Sequence, residues 1–549
     1  MTDPTQISAE RWGFTTLAGG LLAPIIAQGI WLPLARSLGS GGDALHLTAA
    51  ALTIHLLSAL TRRLGGARAL WLGPVVAGLA SVAFGFGLSL GLAGLSALLT
   101  VAVVSSWLLR ALPPQLPEVL DGLAGRARGL TVLYVLVAGL TLWTTARLSV
   151  FIGDPTQVNL QVIPGERFTE VHSCLTAYVR ALELAQGGVE NLYADAWWHG
   201  SHGLPPLAPG VENPYSPFHL DNLNYPPTFL LLVWPLSAFA GDFLAQRALW
   251  FGLNGVFGAL GIWIVARWIG GPSSHRAILL APLLFGSLPL LLTLQIGNFH
   301  LAATALSLLA MASVERGRGT TGGILLATAI LSKISPGLLG IVWLVQRRFR
   351  EAAIAAGFGV VLLVLALLVY GLDPAWSFLT FALPRLSSGE AFPFIDTVDG
   401  IATNMAPFGV PFKLQVFGLD VGDPWAMGKI VARVYTVGLV ILAVVAARRA
   451  DDRRDQAIRW LALLTLASFQ SPFAPTYSTI GLLWATTLIA VELRRARGAV
   501  ALIALWPGLL FVPLGQSLEV YSAVSITQMT LAIGVSAWLA ARAPRRVEA

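Results

Sequence analysis

The sequence predicts an all-α, polytopic membrane protein with a large external loop carrying short helices, and three observations predict it. Hydrophobic residues make up 56% of the 549 and charged residues only 11%, where soluble domains carry roughly a quarter of their residues as charges. Apolar runs reaching the ~20 residues that a bilayer-spanning helix needs recur along the chain. They lack the short alternation of a transmembrane barrel, and a spanning helix satisfies its own backbone hydrogen bonds. Residues 1–10 are polar and lead into the first run without a cleavage-type site, so no signal peptide is expected.

The formal net charge of +7 raises nucleic acid as a partner. The arginines, however, cluster at run ends, for example at Arg62, Arg63, Arg110, Arg126, Arg128, Arg347, Arg348, Arg448, Arg449, Arg494 and Arg495. That is the positive-inside bias of cytoplasmic loops rather than a polybasic face for phosphates, and nucleic-acid binding is excluded as a reading. The single cysteine, Cys174, excludes an intrachain disulfide and a cysteine-based metal cluster.

Taken in order, 12–38, 44–60, 69–88 and 90–109 read as four spans, and 130–152 crosses outward from Arg126 and Arg128. This leaves 151–225 outside the cytoplasm. Run 226–240 is short for a crossing, 248–266 is ample, and 277–294 and 301–314 follow. With Arg316 and Arg318 cytoplasmic, the chain must cross an even number of times between 226 and 295, yet three runs lie there. Either 226–240 dips in and returns or a long run is broken; the sequence leaves both open. Residues 322–345 sit between basic clusters only ~25 residues apart, too few for two spans at about 1.5 Å per residue. With Lys333 to Pro336 at its middle, this segment reads as a hairpin that penetrates partway, its tip in a polar cavity. Residues 352–372 cross outward to a second external loop, 373–425. Runs 428–447, 458–469, 477–491, 500–514 and 524–541 then alternate and leave the C-terminus cytoplasmic.

Polar residues that could carry chemistry concentrate in the first external loop. Glu170 and Glu166, with His172 nearby, could supply a general base through a partly desolvated carboxylate; the bland reading is solvated loop charge. Lys333 is one of only three lysines, with Lys413 and Lys429. A cation within an apolar hairpin is costly and suggests a grip on phosphate, against a snorkelling or paired structural lysine. Gln295, Asn298 and His300 could hydrogen-bond a sugar or headgroup, or act as glue between helices. Tyr225 before Pro226 and Pro227 makes a rigid loop-to-helix corner, with Asp221 and Asn224 just ahead of it. His199, His202 and His219 with Asp221 match no metal-site spacing and read as solvated or capping histidines, so no metal site is assigned. No phosphate-binding glycine loop or nucleophile elbow is visible.

The stretch Tyr225-Pro226-Pro227-Thr228-Phe229-Leu230-Leu231-Leu232, preceded by Leu192-Tyr193, resembles a "LY … YPPxFxLLLxPL" signature. Gln295-Ile296-Gly297-Asn298 is similar to a "GQxN" motif with its first two positions altered, and Gly322 through Lys333 to Pro336 to a "GxxLxxxxxxKxxP" motif. Together, over 130–471, these resemble glycosyltransferase family 87, of the GT-C superfamily of integral membrane transferases.

The resemblance implies that a polyprenyl-phosphate-linked hexose, such as mannose, is the donor and a lipid or glycan the acceptor, on the extracytoplasmic side. It implies an acidic residue early in the external loop as base. Where the family has an Asp in a "DFxxYxxA" context this chain has Glu170, with Glu166 and His172 as reserves. It divides the chain into extra spans at 1–128, a GT-C-like catalytic core at 129–480 with loops 151–225 and 373–425, and C-terminal helices at 481–549. Lys333, with Arg385 or Lys413, would stabilise the leaving phosphate. Direct displacement would invert the anomeric centre. Nothing demands a cofactor, although a divalent metal could assist the leaving group. A membrane transporter or flippase, or an inactive binding partner, is the competing reading. Arginine usage and the lack of eukaryotic targeting signals point to a bacterial inner membrane, whose lipids would surround the spans.

Overall fold

The structure is a computed structural model that describes residues 144, 145, 147–270, 277, 284–447, 452–490 and 516–542. The expected spans 12–38, 44–60, 69–88, 90–109 and 500–514 lie outside those residues, as do the arginine clusters at their ends. Among the described residues every regular element is helical and there is no strand. Among the described residues four helices are long and apolar enough to cross a membrane: Phe243–Ile269, Phe349–Tyr370, Pro424–Ala446 and Leu518–Ala541. A fifth is added if Leu288–Ile296 and His300–Glu315 count as one broken span. The chain is an all-α polytopic membrane protein.

It separates into two compact units. The first holds the described residues of 1–170, 238–297 and 487–502. Its long helix is Phe243–Ile269, wider than the apolar run 248–266 because capping sets its ends. The Asp242 carboxylate accepts the Ala245 N–H at 3.1 Å, and Gly270 stops the helix at φ 75°. Arg247 on this helix is 2% exposed and donates through Nη1 to the carbonyls of Phe151 and Ile152, both at 2.8 Å. Those carbonyls close the helical stretch 147–153, so a buried guanidinium satisfies a helix C-terminus. Trp250 Nε1 donates to the carbonyl of Gly297 at 2.7 Å, where Leu288–Ile296 ends in the left-handed conformation that glycine adopts freely.

The second unit holds 171–237, 298–486 and the described residues of 503–549. The run 226–240 folds as one short continuous helix, Pro227–Phe239, whose α-helical turn Leu230–Val233 is flanked by 3-10 turns at Pro227–Phe229 and Trp234–Phe239, and it is too short for a full crossing. Segment 322–345 becomes two helices, Gly319–Ser332 and Gly337–Val345, parted at Lys333, which is extended at φ −154°, ψ 129°. Pro336 follows at once and restrains Ser335 from helical geometry. The second expected loop is itself largely helical, with Asp373–Ser377, Leu383–Ser388, Val398–Thr403 and Val410–Val416.

His300–Glu315, Gly319–Ser332 and Phe349–Tyr370 pack side by side. Close approach depends on two glycines: a Cβ on Gly322 would stand 2.8 Å from the Ala310 carbonyl, and one on Gly323 3.1 Å from the Ala355 amide nitrogen. Arg453–Ser468 is tied to the end of Leu518–Ala541 by Arg542, whose Nη2 donates to the buried Asp455 carboxylate at 2.7 Å. Gly322→Ala is expected to cost about 1–3 kcal/mol through overpacking. Gly340→Ala, where a Cβ meets nothing within 4 Å, should be neutral or slightly stabilising. Thermal unfolding of the two variants in detergent checks the contrast.

Candidate functional site

In the second unit the loop residues are positioned by one hydroxyl. Thr176 Oγ1 accepts the Asp221 N–H at 3.0 Å, and its single hydrogen is shared between the Ser173 carbonyl at 2.8 Å and that of His219 at 3.2 Å. The His219 N–H donates to the Val171 carbonyl at 2.8 Å. Residues 171–176 and 219–222 are thereby stapled together, and His172, Cys174 and Asp221 share one place. His172 Nε2 lies 3.5 Å from Cys174 Sγ and 3.9 Å from Asp221 Oδ2. Burial, then the Asp221 charge, pushes the Cys174 thiol up from its ordinary range.

Asn298 links this trio to Lys333 at the break between Gly319–Ser332 and Gly337–Val345. Its Nδ2 donates to Tyr477 Oη at 3.0 Å and reaches Cys174 Sγ at 3.5 Å. Its Oδ1 accepts from Lys333 Nζ at 3.1 Å and from the His300 N–H at 3.1 Å. The half-buried Lys333 also donates to His300 Nδ1 at 3.3 Å and stands 5.4 Å from the Tyr477 ring centroid. An ammonium can only donate, so His300 accepts at Nδ1 and carries its proton on Nε2, which faces Ser468 Oγ at 3.5 Å. A cation held by neutral partners, with no carboxylate among them, keeps its charge available to an anion.

Tyr225 is buried, stacked on Phe229 at 4.5 Å between centroids, and its hydroxyl accepts from Tyr178 at 2.9 Å. Its carbonyl accepts from Tyr193 Oη at 2.9 Å. Asn224 and Arg385 line a small cleft with Tyr193, Asp195, Trp198 and Asn222. Arg385 is committed there to a bidentate pair with Asp195 at 2.9 and 3.1 Å. Lys413 is 1% exposed and donates to Ser525 Oγ; burial pulls its ammonium down to about 7. The structure thus groups Lys333 with Asn298 and gives Arg385 and Lys413 partners of their own.

In the first unit Gln295 is 1% exposed and works on the loop backbone. Its Oε1 accepts the Val162 N–H at 2.7 Å, and its Nε2 donates to the Thr169 carbonyl at 2.8 Å. The carboxylate of Glu166 caps the short Arg167–Val171 helix, accepting from the Thr169 N–H at 2.7 Å and the Phe168 N–H at 3.4 Å. Among the described residues the half-buried Glu170 carboxylate takes no hydrogen bond or ion pair.

Sequence reasoning missed Tyr477 and the surroundings of Cys174. The signal for Cys174 lay only in its being a buried-type residue two places from a histidine. Compared with known proteins, residues 223–475 match the model of glycosyltransferase family 87. No curated protein and no solved structure matches. Gln295→Leu is expected to release residues 161–169, seen as faster amide hydrogen exchange there, with exchange in 300–315 unchanged.

Proposed function

We propose that the chain, whose residues 223–475 match the model of glycosyltransferase family 87 and which carries membrane-length helices, is a membrane glycosyltransferase that transfers a hexose, mannose in the first instance, from a polyprenyl-phosphate donor. The acceptor is a lipid or glycan hydroxyl on the extracytoplasmic face of a bacterial inner membrane. The observation that carries the reading is the Lys333 ammonium, set at a helix break and held on Asn298 and His300 without a counter-ion among them. An anionic phosphate ester is the ligand such a cation suits, and its charge grows as the sugar leaves.

The step is a single displacement. The acceptor oxygen bonds to the anomeric carbon as the bond from that carbon to the phosphate oxygen breaks, and the phosphate departs with the electron pair. The configuration inverts. Glu170 is the proposed base for the acceptor proton, because Glu166 beside it is already taken up by backbone amides. Lys333 is the proposed binder of the leaving phosphate. Asn298 and His300 hold that lysine; Gln295 holds the loop ahead of Glu170.

Membranes containing the protein, given radiolabelled polyprenyl-phosphate mannose and endogenous acceptor, test this. Glu170→Gln is expected to lower transfer by about 10²–10⁴-fold. Lys333→Ala should lower it by about 10²–10³-fold. Full activity in both variants would defeat the assignment. Labelled solute moving across the bilayer with no labelled glycan would replace it with transport.

A further inference from the structure

We propose that His172 Nε2, Cys174 Sγ and Asp221 Oδ2 form a binding site for a divalent ion of the zinc class. The three ligand atoms lie within 4.8 Å of one another. Bonds of about 2.3 Å to sulfur and 2.0–2.1 Å to nitrogen at a tetrahedral angle put those two atoms about 3.5 Å apart. The observed separation of Cys174 Sγ and His172 Nε2 is 3.5 Å. The same geometry asks for about 3.4 Å between nitrogen and carboxylate oxygen, against an observed 3.9 Å, so a small side-chain rotation of Asp221 completes the set.

The ligands are also oriented from outside. Asp221 Oδ1 accepts the Asn222 N–H at 2.9 Å, which leaves Oδ2 turned to the histidine. The Asn298 amide reaches the sulfur at 3.5 Å, a donor that would stabilise a thiolate. The backbone beneath both ligand segments is locked by Thr176. Cys174 is buried while His172 and Asp221 keep 20% and 23% of their side-chain surface, so an ion has a route in. One sulfur, one imidazole and one carboxylate suit zinc or cobalt, whereas magnesium and calcium take oxygen-rich shells. Three protein ligands leave a fourth place for water or a substrate oxygen.

This inference stands apart from sugar transfer, and its test reads binding alone. Full-length protein, purified in detergent on a tag lacking histidine and cysteine and stripped with chelator, is titrated with Co²⁺ without oxygen. One cobalt per chain is expected, with thiolate-to-cobalt charge-transfer absorption that Zn²⁺ abolishes. The chain has one cysteine, so that absorption can arise only at Cys174. His172→Gln and Asp221→Asn should each weaken cobalt binding on the order of a hundredfold. Wild-type protein that binds no cobalt, or binds it without the thiolate absorption, overturns the proposal whatever the variants do. Unchanged affinity in both variants overturns it as well.

Discussion

The primary amide of Asn298 is 4% exposed, and its two ends join four segments of the second unit. It receives the Lys333 ammonium and the His300 amide, and offers its hydrogens to Tyr477 and Cys174. Amide groups suit such a junction because they donate and accept at once and carry no charge needing its own partner. Where apolar helices exclude water, every buried polar atom must be met by another, and a network with one empty place is costly. Lys333 at its helix break, the loop trio and the start of the Thr476–Thr479 turn therefore take positions that are mutually dependent.

Local features were legible in the residues. The break within 322–345 follows from Lys333 and Pro336, and it falls there. The shortness of 226–240 follows from its prolines and length, and the segment folds as one short helix, Pro227–Phe239. The apolar run 248–266 underestimated Phe243–Ile269 because runs mark burial, whereas Asp242 and Gly270 mark where hydrogen bonding starts and stops. Asn298 carried a motif letter, but the letter did not say which groups it would hold.

What stayed hidden was long-range. Gln295 meets Val162 and Thr169 across more than a hundred positions, and Asn298 meets Cys174 across a comparable distance. No periodicity encodes such pairs; they come from how helices stack. His172 and Cys174 are two residues apart, but Asp221 lies far beyond them, so spacing rules built for contiguous ligand motifs pass over the trio. Arg385 illustrates the same point in charge. Alone in the sequence it is a cation free for phosphate, and only the fold shows Asp195 occupying both arms of its fork.

Phe349–Tyr370 invites a different kind of reasoning. Its 22 residues rise about 33 Å, close to a hydrocarbon thickness of about 30 Å, and just 6% of its most apolar window is buried within the protein. Val360, Val361, Leu363, Val364, Leu365, Leu368 and Val369 are all exposed. Acyl chains accept any aliphatic shape, so drift among valine, leucine and isoleucine on this surface is nearly without penalty, while a charge at mid-depth is not. The Gly323 contact with Ala355 is where that tolerance ends, since there another backbone rather than lipid sets the available room.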